Sequence, residues 1–574
     1  MKTMYLSMAF WVLCTHCHAQ NTKTPSAEGV WKIVLKEDRE LIKPLRIYKQ
    51  GKQWKALLGN TPLPIQQKQG KLIIDWKKEG AKFEGVLADQ QQSIKGFWRQ
   101  YRYASPVKLT KTARGWEGNR EVQFQQLTFF LMIRKDQTTG KLKSYIYNHE
   151  RNQGTFLRIQ ETKQKGRKVF IALDGLPNLN GTLSQDGSTL HMPINYYGLR
   201  GKVFRKVDPS QEARMQPRIG QKTYAYAPPE QIKDGWQTAS LKDLGADMGK
   251  IKGMVEAILT KKYPSLHSVL ITYKSKLVLE EYFYGYDREQ LHDTRSAGKS
   301  FASAMIGLAL DRNLLTSVDQ NVVDLFPQYK GQIKNLDERK QRLRIRDLMT
   351  MSPGLECNDD RDESLGNENV FYDDREPDDW TKYTLDLPMV NEPGNKAFYC
   401  SAGVNLLGQI VTTVAGKPNY EFIHQHLFEP LGIERFTFYL TPKGHGYQGG
   451  GMFFRPRDLA KFGQLYLNEG TWNGQRLLSK AWVQTTGKGH STMYNHPYKN
   501  YGYNWWVHRF KVGNQTYESF HASGNGGQLI FVVPELKLVV AFNAGNYRRY
   551  GIWRKYRDEL MPNYIIPAIL KIKK

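Results

Sequence analysis

The sequence predicts a multidomain chain: an all-β N-terminal part of two small barrel- or sandwich-like units, followed by a mixed α/β domain. Three observations predict it. Between Glu28 and Val207, short alternating segments such as Trp31-Lys32-Ile33-Val34-Leu35 and Phe129-Phe130-Leu131-Met132-Ile133 are separated by Gly, Asn, Pro and Asp punctuation, the pattern of short strands and turns. From Asp208 to Gly235 the chain turns polar and carries Pro209, Pro217, Pro228 and Pro229, which reads as a linker. Beyond it, strand-like runs near both ends bracket helical ones, which suggests a single domain whose sheet is built from its two termini. At 574 residues with 40% hydrophobic content, the chain has material for two to four cores.

Residues 1–20 stand apart. Lys2 precedes an apolar run from Tyr5 to Cys14, and Cys17-His18-Ala19 places small residues where a signal peptidase cuts. The run is too short to span a bilayer. No other long apolar run follows, so an exported protein, periplasmic or extracellular and without integral membrane association, is expected. Residues 25–112 form the first β unit and 113–207 the second, with an internal echo between Phe83-Glu84-Gly85-Val86-Leu87 and Leu179-Asn180-Gly181-Thr182-Leu183. After the linker, 208–235, the domain 236–574 opens with a helix from Met248 to Lys262 and two strands, Ser268 to Tyr273 and Lys276 to Tyr284. A helical stretch from Phe301 to Leu314 carries an apolar stripe of Phe301, Met305, Leu308 and Ala309. Strands Gln528 to Val533 and Leu536 to Phe542 and a helical segment around Trp553 to Leu560 end it.

The formal charge of +28 raises nucleic acid as a partner, but the basic residues are scattered, with no basic helix and no zinc or RNA-binding signature. An anionic cell envelope or a solvated surface accounts for the balance. Signal-peptide removal leaves Cys357 and Cys400, which in an oxidising compartment are a candidate disulfide.

The chemistry concentrates at Asp293-Thr294-Arg295-Ser296-Ala297-Gly298-Lys299-Ser300-Phe301. If a helix starts there, Ser296 and Lys299 share one face of its first turn. A desolvated lysine can then deprotonate the serine, and the unbonded Ser296 N–H at the helix start favours a developing anion. The same spacing at Ser105-Pro106-Val107-Lys108 lies in a strand, where positions three apart face opposite sides. Glu392-Pro393-Gly394-Asn395-Lys396-Ala397-Phe398-Tyr399-Cys400-Ser401 places Tyr399 on a fixed loop before a helix, suited to proton relay. His521-Ala522-Ser523-Gly524-Asn525-Gly526-Gly527 ends a strand in small residues, leaving room for a substrate's backbone. Gly298-Lys299-Ser300 is also the tail of a P-loop, but Asp293 stands where its first glycine belongs. His424 and His426 diverge on a helix and do not make a metal site. The acidic stretch Glu356 to Asp379 lacks EF-hand spacing; it reads as an irregular insertion near the site, its acids paired with a basic protein, and a preference for cationic substrates is the alternative.

In this order the segments resemble the serine hydrolases of the class C β-lactamase and penicillin-binding-protein family, the S-x-x-K acyl transferases. Ser296 and Lys299 match S-x-x-K, Tyr399 matches the tyrosine of Y-x-N, and the K-T-G or H-x-G strand motif falls at His521 to Gly524. Ile345 to Leu355, Asn405-Leu406-Leu407-Gly408 and Phe454 to Ala460 resemble framework segments. The resemblance implies a β-lactamase/transpeptidase-like domain, an antiparallel sheet flanked by helices with a helical subdomain, over about 236–574. It implies catalysis by Ser296, Lys299 and Tyr399, substrate and oxyanion contacts from Ser296, Ser401, His521, Ser523, Gly524 and Asn525, and no metal or organic cofactor. Two positions depart from the family: Ser401 replaces asparagine, and His521 stands near the strand lysine. They point away from β-lactam hydrolysis and toward an esterase, amidase or D-peptidase acting on a small molecule or peptide, including cell-wall-derived ones. The rival is a catalytically inactive binding or sensor protein whose ligand sits on the N-terminal β units.

Overall fold

The computed structural model describes residues 24–37, 43–122, 126–148, 159–173, 177–196, 199–208, 215–372 and 376–572. The signal-peptide segment and the acidic pair Asp373-Asp374 lie outside the described residues. No helix among the described residues is long and apolar enough to cross a membrane.

The N-terminal part is all-β, as expected. Strands Gly29–Glu37, Gln126–Lys135, Leu142–Asn148, Ile159–Lys165, Lys168–Leu173, Leu179–Leu183, Thr189–Tyr196 and Leu199–Lys206 close into a barrel. The first strand makes the closure: Val30 lies opposite Met132, and Trp31 opposite Lys206. Alternation sends Trp31, Ile33, Leu131, Ile171 and Phe204 inward, enough side-chain volume to fill a barrel of this size. Val30, Phe130 and Tyr147 on the outside pack against the C-terminal domain.

The other N-terminal sheet runs Thr61–Leu63, Gln53–Leu58, Leu45–Gln50, Gly115–Gly118, Tyr103–Thr112, Ser93–Gln100, Ala81–Ala88, Lys71–Trp76, Ile65–Lys68. Its two ends are separated in sequence by Pro64 alone, so the sheet curls around Leu45, Ile74, Phe83, Trp98 and Leu109. The boundary expected at 112/113 is thereby redrawn. Gly29–Glu37 belongs to the second unit and Gly115–Gly118 to the first, so the units interleave. Period-two alternation identifies a strand and its buried face but not its partner.

The expected linker is also corrected. Met215 and Tyr224 are buried, the Tyr226 hydroxyl donates to the Val278 carbonyl at 2.8 Å, and Arg218 pairs with Glu281. Two tyrosines amid the prolines turn a polar stretch into a strap across the strand Lys276–Tyr282, because each buries a ring and bonds its hydroxyl.

In the C-terminal domain, seven strands order as Gln237–Thr238, Lys276–Tyr282, Leu266–Tyr273, Leu538–Ala544, Gln528–Val533, Gln515–Gly524, Trp506–Val512. The termini of the domain meet at the pairing of Leu266–Tyr273 with Leu538–Ala544. Both faces are covered, which is why Gln528–Val533 and Leu538–Ala544 are buried throughout. One face carries the helix Met248–Leu259 and the C-terminal helices. The other packs on Lys299–Asp311, Pro456–Leu467 and the helical subdomain built around Ser401–Ala415. The last helical segment winds as a wide π-type turn over Tyr556–Ile565 with Pro562 inside it; proline has no N–H to give to a regular ladder.

Deleting residues 24–37 from the full chain is expected to open the barrel. Amide exchange should rise at least about tenfold in Gln126–Lys135 and Leu199–Lys206, each of which loses one of its two partner strands, while Gln528–Val533 keeps its protection. Unchanged protection in the barrel would refute the interleaved pairing.

Candidate active site

Ser296 lies in a 3₁₀ turn, Arg295–Gly298, that runs into the helix Lys299–Asp311. The turn is entered through Arg295 at φ 47°, a left-handed conformation that costs a non-glycine residue about 1–2 kcal/mol. Local bonds hold it. The Arg295 N–H donates to the Asp293 carboxylate at 2.9 Å, and its guanidinium pairs with the same group at 3.0 Å. The Thr294 N–H donates to the Met452 carbonyl at 2.8 Å. Ser296 itself is half-buried and reachable from solvent.

Lys299 is 1% exposed. Its amine stands 3.1 Å from Ser296 Oγ and also donates to the Gly449 carbonyl. Burial pushes the ammonium below its ordinary range, against the opposing pull of Glu368 and then Asp359. The amine lies 5.0 Å from the centre of the Tyr399 ring. Burial holds the Tyr399 phenol well above its usual range, helped by Tyr501, while its hydrogen bond with Ser296 works the other way. Tyr399 is therefore a neutral phenol near pH 7, while burial shifts the Lys299 amine toward its neutral form.

The expected bridge Cys357–Cys400 is present, with Cα atoms 5.3 Å apart. It ties the residue after Tyr399 to the loop that carries Asp359, and the Asp359 N–H donates to the Tyr399 carbonyl at 2.8 Å. Ser401 is fully buried and spends itself on this loop: its N–H and hydroxyl both donate to Asp359 Oδ2, at 2.9 and 2.6 Å. Burial, with Glu368 nearby, lifts Asp359 to about 7. Glu368 accepts the Tyr447 hydroxyl at 2.6 Å.

Of the four expected residues on and just after the strand Gln515–Gly524, His521 and Ser523 resolve differently. His521 lies opposite Phe531 and stacks on it at 4.8 Å, on the sheet face away from Ser296, where Leu529, Phe531 and Val533 belong to the other core. Burial there, with Arg557 near, keeps the imidazole neutral. Ser523 shares that parity. Neither reaches the nucleophile. The residues on the site's face are Ala522 and Gly524, so alanine occupies the position two before the glycine. Gly524 lies hard against the nucleophile turn: a Cβ there would stand 2.2 Å from the Thr294 carbonyl oxygen and 3.0 Å from the Ala297 nitrogen. The Asn525 side chain accepts the Arg548 N–H at 2.8 Å, which leaves its main chain as the part beside the turn.

Sequence reasoning missed Gly449 and Trp506. Trp506 is stacked between Tyr399 at 6.1 Å and Tyr494 at 6.0 Å, and Tyr494 is 60% exposed at the mouth. The acidic stretch did signal Asp359, but the expectation that its acids pair with basic residues holds only in part. Glu363 and Glu376 pair with Arg361 and Arg102; among the described residues Asp359 and Glu368 make no such ion pair and face the site instead. His424 and His426 pack on Phe97 and Phe422. No three metal-ligating side chains group together among the described residues.

A sequence profile described as Beta-lactamase matches residues 244–546, more than half of the chain. The chain is 24% identical over 293 residues to a 6-aminohexanoate-dimer hydrolase of Paenarthrobacter ureafaciens, covering 47% of this chain and 70% of that one. It is 24% identical over 229 residues to an N-acetylmuramyl-L-alanine amidase of Bacillus subtilis strain 168, covering 37% and 48%, so it spans about half the length of that relative. Among solved structures, the octameric penicillin-binding protein homologue from Pyrococcus abyssi aligns with a TM-score of 0.42 and 21% identity, over 55% of this chain and 77% of that one. With the profile spanning six of the sheet's seven strands and the Ser296, Lys299 and Tyr399 cluster, the chain belongs to the beta-lactamase family.

Proposed function

We propose that the protein is an exported serine hydrolase that cleaves an ester or amide through an acyl-enzyme on Ser296. The observation that carries this reading is a buried amine, lowered in basicity, 3.1 Å from the hydroxyl of a solvent-reachable serine. Neutral Lys299 takes the Ser296 proton as Oγ attacks the substrate carbonyl carbon. The anion that forms on the carbonyl oxygen is received by the Ser296 N–H and by the Asn525 N–H, next along from the glycine packed on the nucleophile turn. Tyr399, bonded to Ser296, passes the proton from Lys299 to the leaving oxygen or nitrogen. The leaving group departs, and water, deprotonated by the same pair, releases the acid and restores Ser296.

The hydrolase and amidase names of the two relatives support acyl transfer. Ala522 on the strand and Ser401 turned onto Asp359 support an ester, amide or D-peptide substrate over a β-lactam, since the cationic and amide side chains at those positions are absent. The wall of Tyr399, Trp506 and Tyr494 offers a flat apolar surface to an acyl or leaving group. Export is supported by the N-terminal apolar run and by a bridge of the kind oxidising compartments allow.

A fluorophosphonate is expected to label Ser296 and no other serine. Ser296→Ala should abolish labelling and lower kcat/KM on a responsive p-nitrophenyl ester or D-Ala peptide at least about 1000-fold; a folded, unlabelled wild type would overturn the reading.

The rate should climb with pH as Lys299 loses its proton. Glu368 favours the charged amine, so Glu368→Gln, which keeps an acceptor for Tyr447, is expected to move the acidic limb of the kcat/KM profile to lower pH. A shift to higher pH would contradict the assignment of Lys299 as base.

Gly524→Ala is expected to cut kcat by about 100-fold or more by displacing the nucleophile turn. An alanine variant of ordinary activity would show that the turn is not seated on this strand.

A further inference from the structure

The N-terminal β units have no part in the chemistry above, yet their hydrogen-bonded ladder runs into it. The strand Tyr103–Thr112 pairs onward with a strand of the C-terminal domain, Ala104 opposite Phe438 and Tyr103 opposite Tyr439. That strand, Phe436–Tyr439, pairs with Met452–Phe454, whose Phe453 and Phe454 lie opposite Asp293 and His292. Main-chain pairing therefore continues from the N-terminal sheet to within three residues of Ser296.

The same strand Phe436–Tyr439 opens the loop that delivers Gly449 to Lys299. Two bonds close the base of this loop: the Tyr439 N–H donates to the Gly451 carbonyl at 2.7 Å, and the Tyr447 N–H donates to the Tyr439 carbonyl at 2.9 Å. Arg102 grips that base from the N-terminal side. Its carbonyl accepts the Leu440 N–H at 2.7 Å, and its Nε donates back to the Leu440 carbonyl at 2.7 Å. Its guanidinium lies 4.9 Å from the Tyr439 ring centre and 5.3 Å from that of Trp380, with Nη1 on Glu376 at 2.8 Å. A planar fork fixed by a carbonyl, a carboxylate and two ring faces has little freedom left. Trp380 and Tyr447 stand 5.2 Å apart, and Tyr447 reaches Glu368. Packed or hydrogen-bonded groups thus connect Arg102 to the loop whose Gly449 carbonyl accepts from the Lys299 amine.

We infer that the first N-terminal β unit is a positioning element of the hydrolase site, with Arg102 fixing, through Leu440 and Tyr439, the loop whose Gly449 carbonyl holds Lys299. The inference rests on the reading of Ser296 and Lys299 given above. A base must stand within hydrogen-bond reach of its nucleophile, so a displacement of its holding carbonyl by about 1 Å is felt in the chemical step rather than in substrate binding. A plain inter-domain brace would instead affect stability and leave turnover per folded molecule unchanged.

The test uses the full chain as wild type, Arg102→Ala, Arg102→Lys and Arg102→Met, with Lys108→Ala as a control at an exposed position of the same strand. Fluorophosphonate labelling rate, kcat and KM are measured per folded molecule, with melting followed in parallel. Arg102→Ala is expected to lower kcat and the labelling rate about tenfold or more with KM changed less than about twofold, Arg102→Lys to recover part of the loss, and Lys108→Ala to match wild type. Should Arg102→Ala not fold, Arg102→Met, which keeps the volume of the stem, reads the same quantities. A lowered melting temperature with unchanged kcat and labelling rate overturns the inference alone. A folded wild type that does not label overturns the hydrolase reading, and the inference with it.

Discussion

A lysine amine taken out of water and held between a serine hydroxyl and a main-chain carbonyl is the contact on which this structure depends. Removing an ammonium from water costs several kcal/mol even after relaxation (~3 or more), and the amine escapes part of that cost by giving up its proton. The result is an amine beside Ser296 that is shifted toward its neutral form, as an exposed lysine would not be. Holding it there requires a closed apolar surround, and the core around Ala297, Phe301, Met452 and Phe454 supplies one. Phe301 stacks on Phe462 at 3.7 Å and on Phe454 at 5.0 Å, so the helix bearing Lys299 is locked by its own apolar stripe.

Three segments distant in sequence converge on that amine. The nucleophile turn brings Ser296, the bridged loop brings Tyr399 and Asp359, and the loop after Phe436–Tyr439 brings Gly449. Each is fixed by main-chain or covalent bonds rather than by side-chain packing alone: Arg295 by Asp293, Tyr399 by the Asp359 N–H and the Cys357–Cys400 bridge, Tyr439 by Gly451 and Tyr447. Backbone bonds tolerate little drift, which suits a site whose reacting atoms must stay within hydrogen-bond reach. The carboxylates Glu368 and Asp359 pull against the shift that burial gives the Lys299 amine.

The same economy explains the departures from the family's motifs. Ser401 does not project into the site; it caps the Asp359 carboxylate, and Asp359 in turn holds the Tyr399 carbonyl's loop. On the strand, the small pair Ala522 and Gly524 lets the sheet edge lie against the nucleophile turn, while the bulkier His521 is packed on Phe531 behind it.

The sequence by itself determined the order of the elements and the candidate residues that the fold brings together beside Ser296. Alternation, apolar stripes and turn residues are local properties, so the strands of the N-terminal part, the helix after Ser296 and the pairing of the domain's two ends were all legible, as were Ser296, Lys299 and Tyr399. What depended on partners distant in the chain was not. Strand periodicity could not say that Gly29–Glu37 closes the barrel of the second unit, nor could a histidine's proximity to a motif say which sheet face it takes, because a shift of one residue reverses the face. Gly449 and Trp506 carry no local signature and came to lie beside Lys299 and Tyr399 only through folding. Tertiary structure decided these matters because burial, register and main-chain pairing are properties of surfaces brought together, and no window of sequence contains both sides of such a contact.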